Sequence, residues 1–377
     1  MSIRHRHGMP RVTTLEDERP SKAAALPGRR WPGKAGQLGR ALLALPRRAE
    51  TVAYWLVVAP LVARLPARLA YRVACWRGDW NFLHRAGERS EIVRNLRRVL
   101  GDELGPEEAE GLAREYFRMA SCVVIDVMRL RGSAQSLTKL VDIRGREHLD
   151  AALAEGKGAI LCTGHFVSGA YSLLHVSGFP VTTIGRWAHN YSPMSSVERR
   201  FWHLVQARRL LRHRQRPMIE PLPGSIHVAA RAAVALRANE VVTISSDAAP
   251  LDADLTRTVE MPFLGRQARL LPGVVTLARL TGAPVLMVFP RRLADYRHQV
   301  LEISPPVPME GETVTAFGRC VAAIDAAIRA NPASWLYWAN THDLANFGLL
   351  PADPPAGTAA VHPQPPAGEA LASSQEN

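Results

Sequence analysis

One short segment of this chain carries a proton-transfer side chain in a favourable place. His165 lies in TGHFVSGAY, residues 163–171, three positions beyond Cys162, where the apolar run GAILC ends. An imidazole changes charge near neutral pH, so a histidine in a loop at the end of a strand suits general base work, although taken alone such a histidine is more often a hydrogen-bonded structural residue. A second cluster is basic: Arg199, Arg200, Arg208, Arg209, Arg212, Arg214 and Arg216 crowd one predicted helix and its exit. They fit an acidic carrier protein, an anionic membrane surface or a solvated face. Trp335, Tyr337 and Trp338 in WLYWANTH read as core or membrane-rim aromatics rather than a binding site. Cys75, Cys122, Cys162 and Cys320 are far apart and form no C-x-x-C pair, so they read as buried thiols of a reducing compartment.

The elements that must hold these groups follow from periodicity. Short β-branched runs predict strands at GAILC (158–162), VTTIG (181–185), EVVTISS (240–246), PVLMVFP (284–290) and QVLEIS (299–304). Helices are expected between them, at about 195–212, 225–238, 268–281 and 313–330. That alternation is the signature of an α/β fold, a mostly parallel central sheet flanked by helices, spanning residues 138–348. In such sheets chemistry collects in the loops at the carboxyl ends of the strands, where His165 is found. Residues 76–137 are expected to be helical and to pack on this core. Ile92, Val93, Leu96, Val99 and Leu100 recur at helical spacing, and Glu107, Glu108 and Glu110 give a later helix an acidic first turn.

Before that lies VAYWLVVAPLVA, residues 52–63, twelve residues interrupted by Pro60. It is shorter than the ~20 apolar residues that a spanning helix needs. Tyr54 and Trp55 near its start, with Arg47, Arg48, Arg64 and Arg68 flanking it, predict a helix over 40–75 that associates with a membrane; a buried helix of a soluble protein is the plainer alternative.

The chain has 377 residues, 47% hydrophobic and 21% charged, enough for a large core. Its formal net charge is +13, and the first fifty residues hold eleven Lys/Arg against four Asp/Glu. Residues 1–38, basic and rich in Gly and Pro, and residues 349–377, with six prolines after 350, are expected to be disordered. Residues 1–30 contain no apolar h-region, so a cleavable signal peptide is not expected and the catalytic part is placed in the cytoplasm. The charge invites nucleic acid as a partner, yet no zinc spacing, stacking motif or basic zipper accompanies it, and none is expected.

Residues 90–345 resemble the late acyltransferases of lipid A biosynthesis, the lauroyl and myristoyl transferases of the lysophospholipid acyltransferase superfamily. The resemblance rests on RNLRRVLG (94–101), GAILCTGHF (158–166), RWAHNYSP (186–193), ANEVVTISSDAAP (238–250), PFLGRQARLLPGVVTLARLTGAPVLMVF (262–289) and NPASWLYWANTH (331–342), in that order. It implies an acyltransferase at the cytoplasmic face of the inner membrane. Histidine there takes a proton from an acceptor hydroxyl, which attacks an acyl thioester of acyl carrier protein or CoA without a covalent enzyme intermediate. The acceptor would be lipid A or another lipid, and no cofactor or metal is implied beyond the acyl donor. It also marks Arg186, Phe263, Gly265 and Arg266 as substrate-binding, the arginines as phosphate partners.

The sequence departs from the family at the chemistry itself. The family motif is His, four residues, then Asp or Glu; here Ala170 stands in the acidic position, and no acidic residue occurs between Glu155 and Glu198. Three arrangements are open. Asp247, which follows the strand EVVTISS and should open into the same cleft, supplies the carboxylate; or Ser168 or a backbone carbonyl orients the ring with reduced activity; or the chain is an inactive lipid-binding protein. Ala248 replaces the glutamine that the family commonly has after this aspartate. A lysophospholipid, aminolipid or secondary metabolite is an open alternative to lipid A as acceptor.

Overall fold

The computed structural model describes residues 45–101, 104–129, 139–167, 180–185, 218–221, 227–248 and 257–350, all within one compact unit, Leu43–Asp353. The expected terminal tails up to 38 and beyond 350, Ser168, Ala170, Arg186 and the arginine cluster of 199–216 lie outside the described residues. In chain order come α1 (Leu45–Ala53), a π-turn (Tyr54–Val58), α2 (Ala59–Val62), α3 (Ala67–His84), α4 (Ala86–Leu100), α5 (Pro106–Arg129), β1 (Val141–Arg144), α6 (Arg146–Ala154), β2 (Ala159–Thr163), β3 (Val181–Ile184), α7 (His227–Arg237), β4 (Val241–Ser245), β5 (Val259–Phe263), β6 (Arg266–Leu270), α8 (Gly273–Thr281), β7 (Val285–Arg292), β8 (Gln299–Val307), α9 (Thr313–Ala330) and α10 (Thr341–Phe347).

Six strands form one sheet in the order β1-β8-β7-β2-β4-β3. Every pairing is parallel except β7 with β8, so the expected α/β fold with a mostly parallel sheet is present. β2 is buried along its whole length, as befits a strand covered on both faces. Alternate residues face opposite layers: Ala159 and Leu161 pack beside Leu149 and Ala152 of α6, whereas Ile160 and Cys162 join the larger core with α4, α5, α8 and α9.

Two expectations need correction. Residues 40–75 do not form one helix. Pro60 has no N–H and its ring crowds the carbonyl four residues back; the chain answers with the π-turn, in which Ala59 N donates to Tyr54 O. Pro66 then stands just before α3. Residues 268–270 belong to β6 rather than to a helix, because Ala268 and Leu270 are buried on either side of the less buried Arg269, a two-residue period, and Pro272 delays the helix to Gly273. β5 and β6 make a hairpin whose two-residue turn, Leu264 at φ 51° and Gly265 at φ 78°, has the doubly positive geometry of a type I′ turn. Asp325 of α9 holds that turn by accepting from Leu264 N at 2.5 Å. Leu349 and Leu350, assigned to the tail from sequence, are buried in the core.

The N-terminal helices pack on α5 around Trp55, Ala59, Tyr71, Ala74 and Ile125. A buried ion pair pins this layer to the sheet: Arg292 at the end of β7 donates to Asp126 of α5, whose other oxygen accepts from Tyr71 OH at 2.5 Å. No described helix is long and apolar enough to cross a membrane.

Candidate active site

The site grows out of the register of two neighbouring strands. β2 and β4 run parallel with Cys162 opposite Ile244 and Thr163 opposite Ser245, and the ladder continues one step, Ser246 N donating to Thr163 O at 2.9 Å. Beyond it Gly164-His165 and Asp247 leave the sheet at the same edge. The aspartate that had only adjacency to recommend it is therefore brought to the histidine. Asp247 Oδ1 lies 2.7 Å from His165 Nδ1, and both carboxylate oxygens accept from His165 N, at 2.8 and 3.1 Å.

The approach is close enough to constrain Gly164. A Cβ there would lie 2.9 Å from Asp247 Oδ2 and 2.9 Å from the Phe166 ring. Glycine is the residue that lets the backbone donors reach the carboxylate.

Asp247 has a further donor that sequence reading missed. Trp335 Nε1 donates to Asp247 Oδ2 at 2.8 Å, and its indole is fully buried. The segment carrying it is strapped across the histidine loop: Phe166 bridges Trp335, Val167 N donates to Ser334 O at 2.5 Å and Leu336 N to His165 O at 2.8 Å. Tyr337 meets the imidazole edge-on, with centroids 5.1 Å apart. The aromatics of WLYWANTH are thus core side chains, as expected, but Trp335 also touches the site.

These contacts set the proton inventory. Asp247 is only 1% exposed and every polar partner named above is a donor, so the carboxylate accepts from Nδ1–H, and the tautomer that follows carries its basic lone pair on Nε2. His165 is 20% exposed, so solvent reaches the imidazole but not Asp247. Such burial strengthens charge-assisted hydrogen bonds by excluding water. Cys162, on β2 three residues before the histidine, is not a rival nucleophile. A hydrogen bond with Cys320, and then burial, push its thiol well above the ordinary value.

Of the residues marked by resemblance, Phe263, Gly265 and Arg266 lie on the β5–β6 hairpin. Phe263 is buried and meets the Trp335 ring at 5.9 Å, so it supports the site through the tryptophan. Gly265 serves the turn, and Arg266, exposed, donates to Arg98 O at 3.0 Å. None of the three touches His165 or Asp247 by a hydrogen bond.

Fold and site together define an α/β protein with a His–Asp pair at the carboxyl edge of a largely parallel sheet. The chain belongs to the bacterial lipid A biosynthesis acyltransferase family, whose model matches residues 43–341, and it is an acyltransferase. A phosphatidylinositol mannoside acyltransferase of Mycobacterium tuberculosis (strain CDC 1551 / Oshkosh) is 29% identical over 270 residues, covering 67% of this chain and 77% of that one. A lipid A biosynthesis acyltransferase of Haemophilus influenzae is 23% identical over 257 residues, covering 67% and 74%.

Proposed function

We propose that the chain transfers a fatty acyl group from an acyl thioester, on acyl carrier protein or CoA, to a hydroxyl of a lipid acceptor, with His165 as general base. Nε2 takes the hydroxyl proton as the alkoxide oxygen attacks the thioester carbonyl. Asp247 holds the ring and stabilises the imidazolium, which then returns its proton to the departing thiolate. The observation that carries this reading is the 2.7 Å contact of His165 Nδ1 with Asp247. A carboxylate from the loop after β4 thus stands in for the one that the motif lacks at Ala170, which favours catalysis over an inactive lipid-binding role. The names of the relatives point to glycolipid acceptors, lipid A or a mannosylated phosphatidylinositol.

The reaction site belongs at a membrane surface, the cytoplasmic face of the inner membrane. Leu56, Val57, Val58, Leu61, Leu69, Trp76, Trp80 and Leu83 are exposed, with exposed Arg64, Arg68 and Arg72 among them. Nearby carboxylates are already engaged: Glu50 by Arg77 and Asp79 by Arg114 and Arg118. Apolar anchors between unneutralised cations fit an anionic bilayer.

Purified protein mixed with acyl thioester and a panel of hydroxylated lipids tests the reading. Thiol release should match acylated lipid one for one, and intact-protein mass after exposure to donor alone should show no added acyl group. A stable acyl-enzyme, or transfer undiminished in His165→Ala, contradicts it.

A further inference from the structure

The outer face of α4 carries a charge pattern that the dyad does not use. Ile92, Asn95, Leu96 and Val99 turn into the core, leaving Arg94, Arg97 and Arg98 exposed on the opposite side. The two carboxylates of the helix are occupied elsewhere: Glu88 pairs with Arg85 at 3.4 Å, and Glu91 accepts from Thr341 Oγ1 at 2.8 Å and Thr341 N at 3.1 Å. The guanidinium groups of Arg94, Arg97 and Arg98 have no hydrogen-bond or ion-pair partner among the described residues. With Arg89, Ser90, Val93 and a single carboxylate, Glu110 of α5, they line an open cleft of about 480 Å³.

The composition of this face decides what it fits. The surface of residues 56–83 sets cations among tryptophans and leucines, whereas the cleft along α4 is lined by cations with one half-buried aliphatic side chain, Val93. A bilayer gains little from a face without apolar anchors. A small anion is held by buried, convergent donors, and these arginines are exposed. A rigid row of unneutralised guanidinium groups matches the carboxylates of an acidic protein, steering encounter and register.

The face is also tied to the site. Asn95 Nδ2, on the inner side of α4, donates to Trp338 O at 2.9 Å, in the segment that straps the His165 loop. The arginines thus stand about one helix diameter, roughly 10–12 Å, from that segment.

We propose that Arg94, Arg97 and Arg98 of α4 form the docking surface for an acidic acyl carrier protein. This rests on the acyl-transfer reading above and names which thioester donor the site takes. A flexible prosthetic arm on the docked carrier delivers the thioester past the strap to His165.

The test is fluorescence anisotropy with a labelled bacterial holo-acyl carrier protein, beside co-sedimentation with phosphatidylglycerol/phosphatidylcholine vesicles. Replacing the three residues together, Arg94→Glu, Arg97→Glu and Arg98→Glu, should weaken carrier binding at least tenfold and flatten its salt dependence while vesicle binding persists. Should the triple reversal lose its melting transition, the milder set Arg94→Gln, Arg97→Gln and Arg98→Gln is expected to weaken carrier binding severalfold. Unchanged carrier affinity, no carrier binding by the wild type, or a loss of vesicle binding in step with carrier binding overturns the proposal. Binding does not need turnover, so the two readings separate. His165→Ala should bind the carrier normally; arginine-dependent binding without any transfer would retain the docking surface and sink the catalytic reading.

Discussion

Replacing Asp247 by asparagine changes one atom at the centre of the site and leaves its shape. In the wild type, His165 N, His165 Nδ1–H and Trp335 Nε1–H all point at the two oxygens of Asp247. A carboxamide has one oxygen for these donors, and its NH₂ must face another donor or turn to Nδ1. If it turns to Nδ1, Nδ1 becomes the acceptor, the proton moves to Nε2, and the nitrogen facing the substrate is no longer basic. The analogous substitution in a serine hydrolase triad lowers kcat ~10⁴-fold. At ~1.36 kcal/mol per decade that is ~5.4 kcal/mol of lost transition-state stabilisation. Steady-state acyl transfer, read by mass spectrometry of the product lipid, should show this loss in kcat with KM within a few-fold. Circular dichroism melting in parallel should retain a cooperative transition. An Asp247→Asn enzyme with kcat within tenfold of the wild type would refute the orienting role.

Trp335→Phe keeps the aromatic packing with Phe263 but removes a donor from a buried carboxylate; it should cost ~1–3 kcal/mol in denaturant melts and lower kcat with little effect on KM. Gly164→Ala forces a methyl group against Asp247 Oδ2 and the Phe166 ring and should reduce turnover severely, measured in the same transfer assay. Neutralising Asp126 leaves Arg292 charged and buried, so Asp126→Asn should lose ~3–5 kcal/mol of stability in urea titrations. For Asp79, burial pushes the carboxyl upward but hydrogen bonds from Arg118 and Arg114 outweigh it and hold the pKa below the ordinary value. Its stabilisation is then fully present above the unfolded pKa, ~3.9, and disappears as pH falls through the folded value. Melting temperatures of the wild type and Asp79→Asn should differ at pH 7 and converge in acid.

Much of the fold could be read because β2, β4 and β7 are buried apolar runs between helical periods, and α9 was expected over the residues it occupies, Thr313–Ala330. β1 was missed because VDIR is four residues long and alternates with two charges. The β5–β6 hairpin was missed because its turn places Leu264, not the usual Asn or Gly, at positive φ. The helix drawn over 40–75 failed on its prolines, whose backbone consequences reach several residues to either side. At the site, Asp247 was legible because adjacent parallel strands deliver their loops to one edge. Trp335 was not, because it is 88 residues from Asp247 in sequence and no local pattern marks an indole N–H that ends on a carboxylate. The exposed apolar side chains Trp76, Trp80 and Leu83 lie past the predicted boundary at 75, on a helix whose exposed face only the three-dimensional packing reveals.

The central claim is that His165, oriented by Asp247, makes this chain an active acyltransferase without a carboxylate at Ala170. Wild-type protein and His165→Ala, each expressed in a bacterial host lacking its own late acyltransferase, with the extracted lipids weighed by mass spectrometry, test it most directly. A lipid heavier by one acyl chain is expected in the wild type and is expected to be absent in the variant. The same acylated lipid in both strains would contradict it.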